Sequence, residues 1–351
     1  MSELRINNIT DRAGSSGPII AGVSTVTSTS HMVMPSGPTN MRGGRGIALR
    51  GGGTNPSNGA QDDMDKIVVA TTGNSVDFGN LVSARTQPSS ASSSIRAFFF
   101  GGTAIPAITS NISATDYASG GGGFDFGDLT QPVRALSNGC GDQIRAVRMG
   151  GYGPAGVGGG PNPAISNVID FFIMASRGDA SDFGDLSKND GGQGQSYAVH
   201  NCASPTRGIA YNGANGIAAD IQFITFATKG DSQTFGECLV NHNDGGALSD
   251  TTRGIQIGAS TPAASDAIEF ITMASEGNGT DFGNLSSARA PRGGSNATRG
   301  LGIGGYSTPG AKTNTIDFIT IQSTGDATDF GDLTTQTQQQ GATSDIHGGL
   351  T

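Results

Sequence analysis

The stretch Asp329-Phe330-Gly331-Asp332-Leu333 decides the fold, because its first three residues recur along the chain. Asp-Phe-Gly also occupies residues 77–79, 125–127, 182–184 and 281–283, and a degenerate copy, Thr-Phe-Gly, occupies residues 234–236. The six phenylalanines lie 47 to 57 residues apart: Phe78, Phe126, Phe183, Phe235, Phe282 and Phe330. A period of about 50 residues is typical of a repeat architecture. A motif that occurs six times, once in degenerate form, indicates a structural role in the scaffold. We therefore expect functional residues where the repeats differ in sequence.

The composition favours an all-β protein. The chain has 351 residues, of which 58 are glycine and 14 proline, and only 14% are charged. Such a chain is rich in turn formers, and its glycines do not follow the three-residue period of collagen. The net charge of −9 argues against a nucleic-acid partner, and no apolar run reaches the ~18 residues that a membrane helix needs. No signal peptide is visible, and three unpaired cysteines indicate free thiols made in a reducing cytoplasm.

The sixth copy shows the repeat unit most clearly. It contains an opening strand ending in Gly304-Gly305, an alternating strand around Ile316-Asp317-Phe318, a turn at Gly325, and the Asp-Phe-Gly strand. A linking stretch such as residues 286–289 or 82–85 supplies a fourth strand in this interpretation. Four strands per ~50 residues is the arithmetic of a propeller blade. The sequence therefore predicts a six-bladed β-propeller whose blades have four antiparallel strands.

The two ends of the chain complete this prediction. Residues 335–351 repeat the start of a seventh unit, which could pair with the first blade and close the ring. Residues 1–40 lie outside the repeat and hold too little apolar surface for a core of their own, so we expect an extended N-terminal docking arm. The propeller then covers residues 41–351, with repeats at 41–86, 87–135, 136–187, 188–239, 240–289 and 290–334, and the closing half-repeat at 335–351.

The repeat resembles two groups of known proteins. Its double-glycine strands are similar to those of kelch and galactose-oxidase-type propellers, although phenylalanine replaces the usual tyrosine and tryptophan of the kelch blade. The phrases Thr-Arg-Gly, Ile-Asp-Phe-Ile-Thr-Ile and Thr-Gly-Asp-Ala-Thr-Asp-Phe-Gly-Asp-Leu resemble propeller-type virion proteins of tailed bacteriophages, especially those of cyanobacteria. The leader at residues 4–12 is similar to that of phage fibre-like proteins. The resemblance implies a virion location and a display or binding role, with tail, collar and capsid left open.

An arginine recurs at a matching position of each repeat, and an acid recurs in the third strand. The arginines are Arg45, Arg96, Arg145, Arg207, Arg253 and Arg299, and the acids are Asp65, Asp170, Glu269 and Asp317. A ring of charge around the channel is one interpretation. Repetition favours the other, an Arg–carboxylate pair that ties strand to strand inside each blade.

Motifs that carry chemistry are weak in this chain. Asp-Phe-Gly is a magnesium motif in protein kinases, but the other kinase motifs are missing and five intact copies argue against it. The Asp-x-x-Asp-x-x-Asp rows beginning at Asp179 and Asp326 favour turn capping over calcium. The four histidines are too far apart in sequence for a metal motif. We therefore expect no catalytic, metal or cofactor site, and no enzyme.

Partner binding is expected in the variable inserts at residues 104–109, 153–165, 188–195 and 213–219, beside which Tyr152, Tyr211 and Tyr306 are candidate contacts. The favoured function is a non-enzymatic phage virion protein, made in the host cytoplasm and displayed on a tail or fibre in several copies. Residues 1–40 would contact other virion proteins, and the propeller would contact a host-surface glycan. A capsid or collar decoration protein without a receptor role is the alternative, and a glycan-active propeller enzyme is disfavoured.

Overall fold

The computed structural model describes residues 46–104, 107–134, 139–154, 165–187, 198–213, 220–240, 244–260, 263–307 and 310–350. It also gives the backbone of two short paired strands, β1 (Thr25–Val26) and β2 (Met32–Val33). The rest of the expected N-terminal arm lies outside the described residues, as does Arg45. No helix of the described residues is long and apolar enough to cross a membrane.

Six four-stranded antiparallel sheets form the body of the molecule. Blade 1 contains β3 (Ile47–Gly51), β4 (Gln61–Val68) and β5 (Val76–Arg85). Blade 2 contains β6 (Ser89–Ser92), β7 (Arg96–Phe100), β10 (Asn111–Asp116) and β11 (Phe124–Asp128), and a small hairpin, β8 (Thr103–Ala104) and β9 (Ala107–Ile108), leaves it. Blade 3 contains β12 (Cys140–Gly141), β13 (Arg145–Tyr152), β14 (Ile165–Ile173) and β15 (Ser181–Asp185).

The second half repeats the same order. Blade 4 contains β16 (Ala198–Ala203), β17 (Arg207–Gly213), β18 (Asp220–Thr225) and β19 (Gln233–Glu237). Blade 5 contains β20 (Gly246–Ser249), β21 (Arg253–Ala259), β22 (Ser265–Thr272) and β23 (Thr280–Asn284). Blade 6 contains β24 (Arg292–Ser295), β25 (Arg299–Ser307), β26 (Ala311–Thr320) and β27 (Thr328–Thr337). We name the strands a to d from the axis outward.

The C-terminal strand closes the ring. Strand β28 (Gly341–Ser344) pairs antiparallel with β3 and is strand a of blade 1, so that blade combines the two ends of the propeller. The six a strands contact one another around the axis in the order β28, β6, β12, β16, β20 and β24. Closure leaves no exposed sheet edge between the first and last blades. The predicted all-β propeller, with six blades of four antiparallel strands, is confirmed.

One strand assignment was wrong. The linking stretches do not form the fourth strand: residues 82–85 prolong β5, and residues 286–288 form a bend. The fourth strand follows the link and is strand a of the next blade, as β24 is after residues 286–291. It escapes the alternating pattern because it is short and buried throughout: all four residues are buried in β6, β20, β24 and β28, and apart from Leu248 and Arg292 they are Ser, Gly, Ala or Thr.

The core lies between the blades. Each of six hydrophobic clusters joins residues of two neighbouring blades, for example Phe171 and Phe183 of blade 3 with Ile224 and Phe226 of blade 4. Each blade therefore depends on both neighbours for its apolar burial, as expected for stacked repeats.

The up-and-down order gives the propeller two distinct ends. The hairpin face carries the a–b turns, such as Asp250–Thr252, and the c–d turns, such as 321–327. The insert face carries the b–c connections, such as 52–60, and the links between blades, such as 285–291. Because β3 is a b strand, the N-terminal segment joins the propeller at the hairpin face, and β28 also ends there.

Candidate functional site: repeat contacts, axis and insert face

The Asp-Phe-Gly phrase forms a clasp between neighbouring blades. The carbonyl of its phenylalanine accepts a hydrogen bond from a glycine amide in the c–d turn of the next blade, at 2.8 to 3.0 Å in all six cases. The donors are Gly73, Gly121, Gly178, Gly230, Gly277 and Gly325, for Phe330, Phe78, Phe126, Phe183, Phe235 and Phe282 respectively. A second bond joins the carbonyl two residues after the phenylalanine to the amide two residues after the turn glycine, as in Ser75 to Asp332 (2.8 Å).

The turn aspartates supply a third bond of this clasp. Asp179 Oδ1 accepts from the amide of Asp128 (3.0 Å), and Asp326 Oδ1 accepts from the amide of Asn284 (2.9 Å). Both carboxylates cap an amide of the preceding blade rather than one of their own turn. In blade 3, partial burial and the nearby Asp231 and Asp182 raise the pKa of Asp185. Within the described ranges, no group of three or more His, Cys, Asp or Glu side chains is placed to hold a metal ion.

The glycine of the phrase makes the clasp close. A Cβ at Gly331 would lie 2.5 Å from the carbonyl oxygen of Gly73, and a Cβ at each of the five other glycines of the phrase would lie 2.2 to 2.4 Å from the carbonyl oxygen of its turn glycine. Five of the six also have positive φ, with Gly236 of the degenerate copy as the exception. The preceding phenylalanine rings lie in the core at 2 to 3% exposure, apart from Phe78, which is half-buried.

The recurring arginines do not pair with the third-strand acids, which corrects the expectation. Antiparallel register sets Arg145 against Ile173 and Arg299 against Thr320, three residues beyond the acid. The guanidinium groups of Arg145, Arg207, Arg253 and Arg299 instead lie 4.5 to 5.8 Å from the centroids of Phe171, Phe223, Phe270 and Phe318. Arg207, Arg253 and Arg299 also donate to backbone carbonyls of the next blade. Arg96 alone of the described five forms an ion pair, with Asp116 (2.7 Å).

The third-strand acids are paired with other arginines, which the sequence analysis missed. Arg148 contacts Asp170 (2.6 Å), Arg50 contacts Asp65 (3.2 Å) and Arg289 contacts Asp317 (2.9 Å), with all six side chains at most 1% exposed. The signal existed for two of them, because Arg50 and Arg148 stand in cross-strand register with their acids. In blades 4 and 5 the acid position holds Gln222 and Glu269.

These acids also join each blade to the one before it. A hydroxyl group just after the Asp-Phe-Gly-x-Leu phrase donates to the acid of the next blade, as Thr334 does to Asp65 (2.7 Å) and Ser286 to Asp317 (2.7 Å). Ser187 donates in the same way to Gln222 (3.1 Å). The buried ion pairs are therefore parts of the interblade contacts, and their position leaves no charge exposed to a substrate.

The three candidate tyrosines occupy different environments. Tyr152 is half-buried at the insert-face end of β13, with the guanidinium of Arg134 4.6 Å from its ring. Tyr306 is half-buried at the matching end of β25, where burial and nearby Asp244 raise its pKa and its hydroxyl bonds that carboxylate. Tyr211 lies in the core between blades 4 and 5 at 1% exposure, so it was wrongly proposed as a partner contact.

The four predicted inserts emerge from one end of the molecule. Residues 104–109, 153–165 and 213–219 belong to b–c connections and residues 188–195 to a link between blades, so all leave from the insert face. Much of them, namely residues 105–106, 155–164, 188–195 and 214–219, lies outside the described residues. That a partner binds there stays a prediction.

A small cavity lies on the axis, between the a strands. Its volume is about 30 Å³, and its lining includes Asn201, Ser249, Ser295 and Ser344 from a strands. A cavity of this size accommodates about two water molecules. Asn201 is 2% exposed, and neither atom of its amide group has a hydrogen-bond partner within the described part of the chain.

The C-terminal turn covers this cavity at the hairpin face. A 3-10 turn at Gly348–Leu350 packs against β12, β16 and β20, and a Cβ at Gly349 would meet the carbonyl of Gly141. His347 lies beneath it: Nδ1 accepts from the amide of Gly349, which leaves Nε2–H to donate to the carbonyl of Ser92 (3.1 Å). Burial lowers the pKa of His347 to about 4, so the ring is neutral at pH 7.

Two of the three cysteines, Cys140 and Cys202, are buried, and Cys238 is half-buried. Cys140, Cys202 and Cys238 are free thiols, and burial raises the pKa of all three, to about 12 for Cys202. A thiol with a raised pKa is a poor nucleophile near pH 7.

No family model matches the chain, and no curated protein is similar to it at a significant level.

Proposed function

We propose that this chain is a non-enzymatic virion structural protein of a tailed bacteriophage, in which the propeller is a rigid display module. The resemblance of its repeat phrases to phage propeller proteins supports the virion role. The observation that carries the display role is that the N-terminal segment joins at the hairpin face while the four inserts leave from the insert face. A molecule held by the first end presents the second.

The interblade clasps suit this role. Six sets of backbone hydrogen bonds and six shared hydrophobic clusters hold the blades together around the whole ring. Such a ring tolerates insertions at the insert face, since the clasps lie in the c–d turns at the opposite end. The inserts, with Tyr152 at the base of the one in blade 3 and Tyr306 at the matching end of β25, are the surface that we propose contacts a host-surface glycan.

Cryo-electron microscopy of purified virions tests the location. We expect propeller density on the tail or fibre, with the hairpin face toward the virion. Density on the head or collar would favour the decoration role, and absence of the chain from virions would overturn the virion proposal.

Two variants separate attachment to the virion from binding at the insert face. Removal of residues 1–40 should prevent incorporation into virions while the propeller still folds. Replacement of residues 153–164 by the shorter b–c connection of blade 5, residues 260–264, should preserve incorporation and reduce binding on a glycan array. Equal incorporation of both variants would contradict the attachment role of the arm.

A further inference from the structure

The hairpin face is divided into an apolar half and a threonine half. Five side chains on blades 1 to 3 form the apolar half: Val68, Val76, Ile95, Ile144 and Ile173, exposed by 44, 52, 63, 58 and 38%. They are five of the eight exposed large hydrophobic residues of the described chain. Of the other three, Val82 lies within β5, and Leu239 and Val240 lie in the link that follows β19.

Blades 4 to 6 carry threonine at two of these positions, the a–b turn and the end of strand c, and the position of Val76 holds Gln233, Thr280 and Thr328 there. In the a–b turns of blades 2 and 3, the backbone carbonyls of Ile95 and Ile144 accept a hydrogen bond from the amide of the residue that follows strand c. The carbonyls of Thr206, Thr252 and Thr298 accept the same bond in blades 4 to 6, so these five residues occupy equivalent positions. The last residue of strand c is Val68 in blade 1 and Ile173 in blade 3, but Thr225, Thr272 and Thr320 in blades 4 to 6, all exposed.

The fold does not require the apolar side chains. Thr252 occupies the same turn site as Ile144, and its hydroxyl donates to Asp250 Oδ1 (3.0 Å), while the amides of both residues donate to the turn aspartate. An apolar group that the fold could replace by threonine, repeated on adjacent blades, is typical of a covered surface.

The N-terminal segment arrives at this half. Residues 1–45 lead into Gly46, whose carbonyl accepts from Val69 just as that of Ile144 accepts from Met174. Residues 19–34 contain no Asp, Glu, Lys or Arg, and they include two apolar pairs, Ile19-Ile20 and Met32-Val33. The eleven residues between 34 and 46 reach up to about 40 Å, whereas the four strands of a blade span about 15 Å.

We propose that residues 19–34 pack on the apolar half of the hairpin face. An uncharged segment with apolar and threonine side chains matches a surface of isoleucine and valine, and its tether ends on the same face. This inference deepens the proposed function, because it leaves residues 1–18 to reach the virion and orients the arm away from the insert face. It concerns the isolated chain and can hold or fail independently of the virion role.

The test replaces isoleucine by the residue that blades 4 to 6 already carry. In Ile95→Thr/Ile144→Thr/Ile173→Thr, hydrogen exchange at residues 19–34 should accelerate at least tenfold relative to the wild-type chain, with the melting temperature unchanged. A control variant, Val82→Thr/Leu239→Thr, removes comparable exposed apolar area elsewhere and should leave this exchange unchanged.

Other occupants of the face give different results. Equal exchange at residues 19–34 in wild type and triple variant would overturn the proposal. So would a wild-type dimer, seen by light scattering, that the triple variant converts to a monomer, since a second copy would then cover the face. Loss of virion incorporation plays no part in either readout, so failure of the proposed function remains distinguishable.

Discussion

The close contact of Gly331 with Gly73 predicts a large and specific loss of stability for Gly331→Ala. This glycine belongs to the clasp that joins blade 6 to blade 1. Its φ is +150°, and an added Cβ would lie 2.5 Å from the Gly73 carbonyl oxygen, a backbone atom that cannot rotate away. The substitution therefore combines backbone strain with displacement of the neighbouring turn.

Two matched glycines separate these effects. Gly325 has nearly the same φ, +152°, but nothing lies within 4 Å of its Cβ position, so Gly325→Ala reports strain alone. Gly236 has a φ outside the left-handed region and a Cβ position 2.2 Å from the carbonyl oxygen of Gly277, so Gly236→Ala reports the clash alone. Strain of this kind costs about 1–3 kcal/mol.

The clash should cost more because the clasp has three hydrogen bonds. In the clasp that contains Gly331, the amide of Gly73 donates to the carbonyl of Phe330 (2.8 Å) and the amide of Ser75 donates to the carbonyl of Asp332 (2.8 Å). The amide of Asp332 donates to Asn74 Oδ1 (3.1 Å). At about 1 kcal/mol each, their loss adds about 3 kcal/mol, so we expect a total of about 4–6 kcal/mol for Gly331→Ala.

Thermal and urea denaturation, followed by far-ultraviolet circular dichroism, measure the three variants. We expect the order Gly331→Ala, Gly236→Ala and Gly325→Ala from most to least destabilised. Equal destabilisation by Gly331→Ala and Gly325→Ala would refute the clasp, because the cost would then be conformational strain alone.

Three further predictions concern buried polar groups. Arg148→Met should destabilise the protein by about 3–5 kcal/mol, since it leaves the Asp170 carboxylate buried and unpaired, and Arg148→Met/Asp170→Leu should recover most of that loss in urea denaturation. The pKa of His347 is lowered to about 4 in the folded chain, so the unfolded chain binds the proton more tightly. The free energy of unfolding should therefore be highest above pH ~6.5, where the ring is neutral in both states. It should decrease as the pH falls from ~6.5 toward 4. The contribution of His347 should appear as a melting-temperature difference of a few degrees, largest at high pH, between wild type and His347→Gln, and a constant difference from pH 7 to 4 would contradict it. All three thiols should react with a disulfide reagent only after denaturation, and rapid native labelling would show that the raised thiol pKa values are wrong.

The fold was predictable because its signal is periodic. Six phenylalanines count the blades, and the tail around Gly341 repeats the start of a unit that lacks its continuation, which predicted the closing strand. The innermost strands were not predicted, because apolar and polar residues alternate only in a strand with one buried and one solvated face. Strands such as β6 and β28 are buried along their whole length and consist of serine, glycine, alanine and threonine, a composition also typical of turns.

The side-chain pairs were less predictable, for reasons of register. The recurring arginine begins strand b, so antiparallel pairing sets it against the end of strand c, whereas the acid lies three residues earlier. The pairing of Arg289 with Asp317 could not be predicted, because Arg289 lies in the link between blades 5 and 6, where no strand register relates it to Asp317. Tyr211 was misplaced because blade 4 lacks the glycine pair that marks the strand end in other copies; its register partner Ile221 places it in the core.

The distribution of constraints argues for a function at the insert face. The Asp-Phe-Gly phrase and the turn glycine of each clasp, and the capping Asp or Asn of five of the six clasps, must fit their counterparts on the neighbouring blade, so a change at one blade disturbs two. The b–c connections differ in length from 3 residues between β25 and β26 to 12 between β13 and β14. Selection for binding can therefore alter the insert face without altering the ring, whereas attachment at the hairpin face is limited to side chains that point outward from the turns. The exposed isoleucines of blades 2 and 3 satisfy that limit.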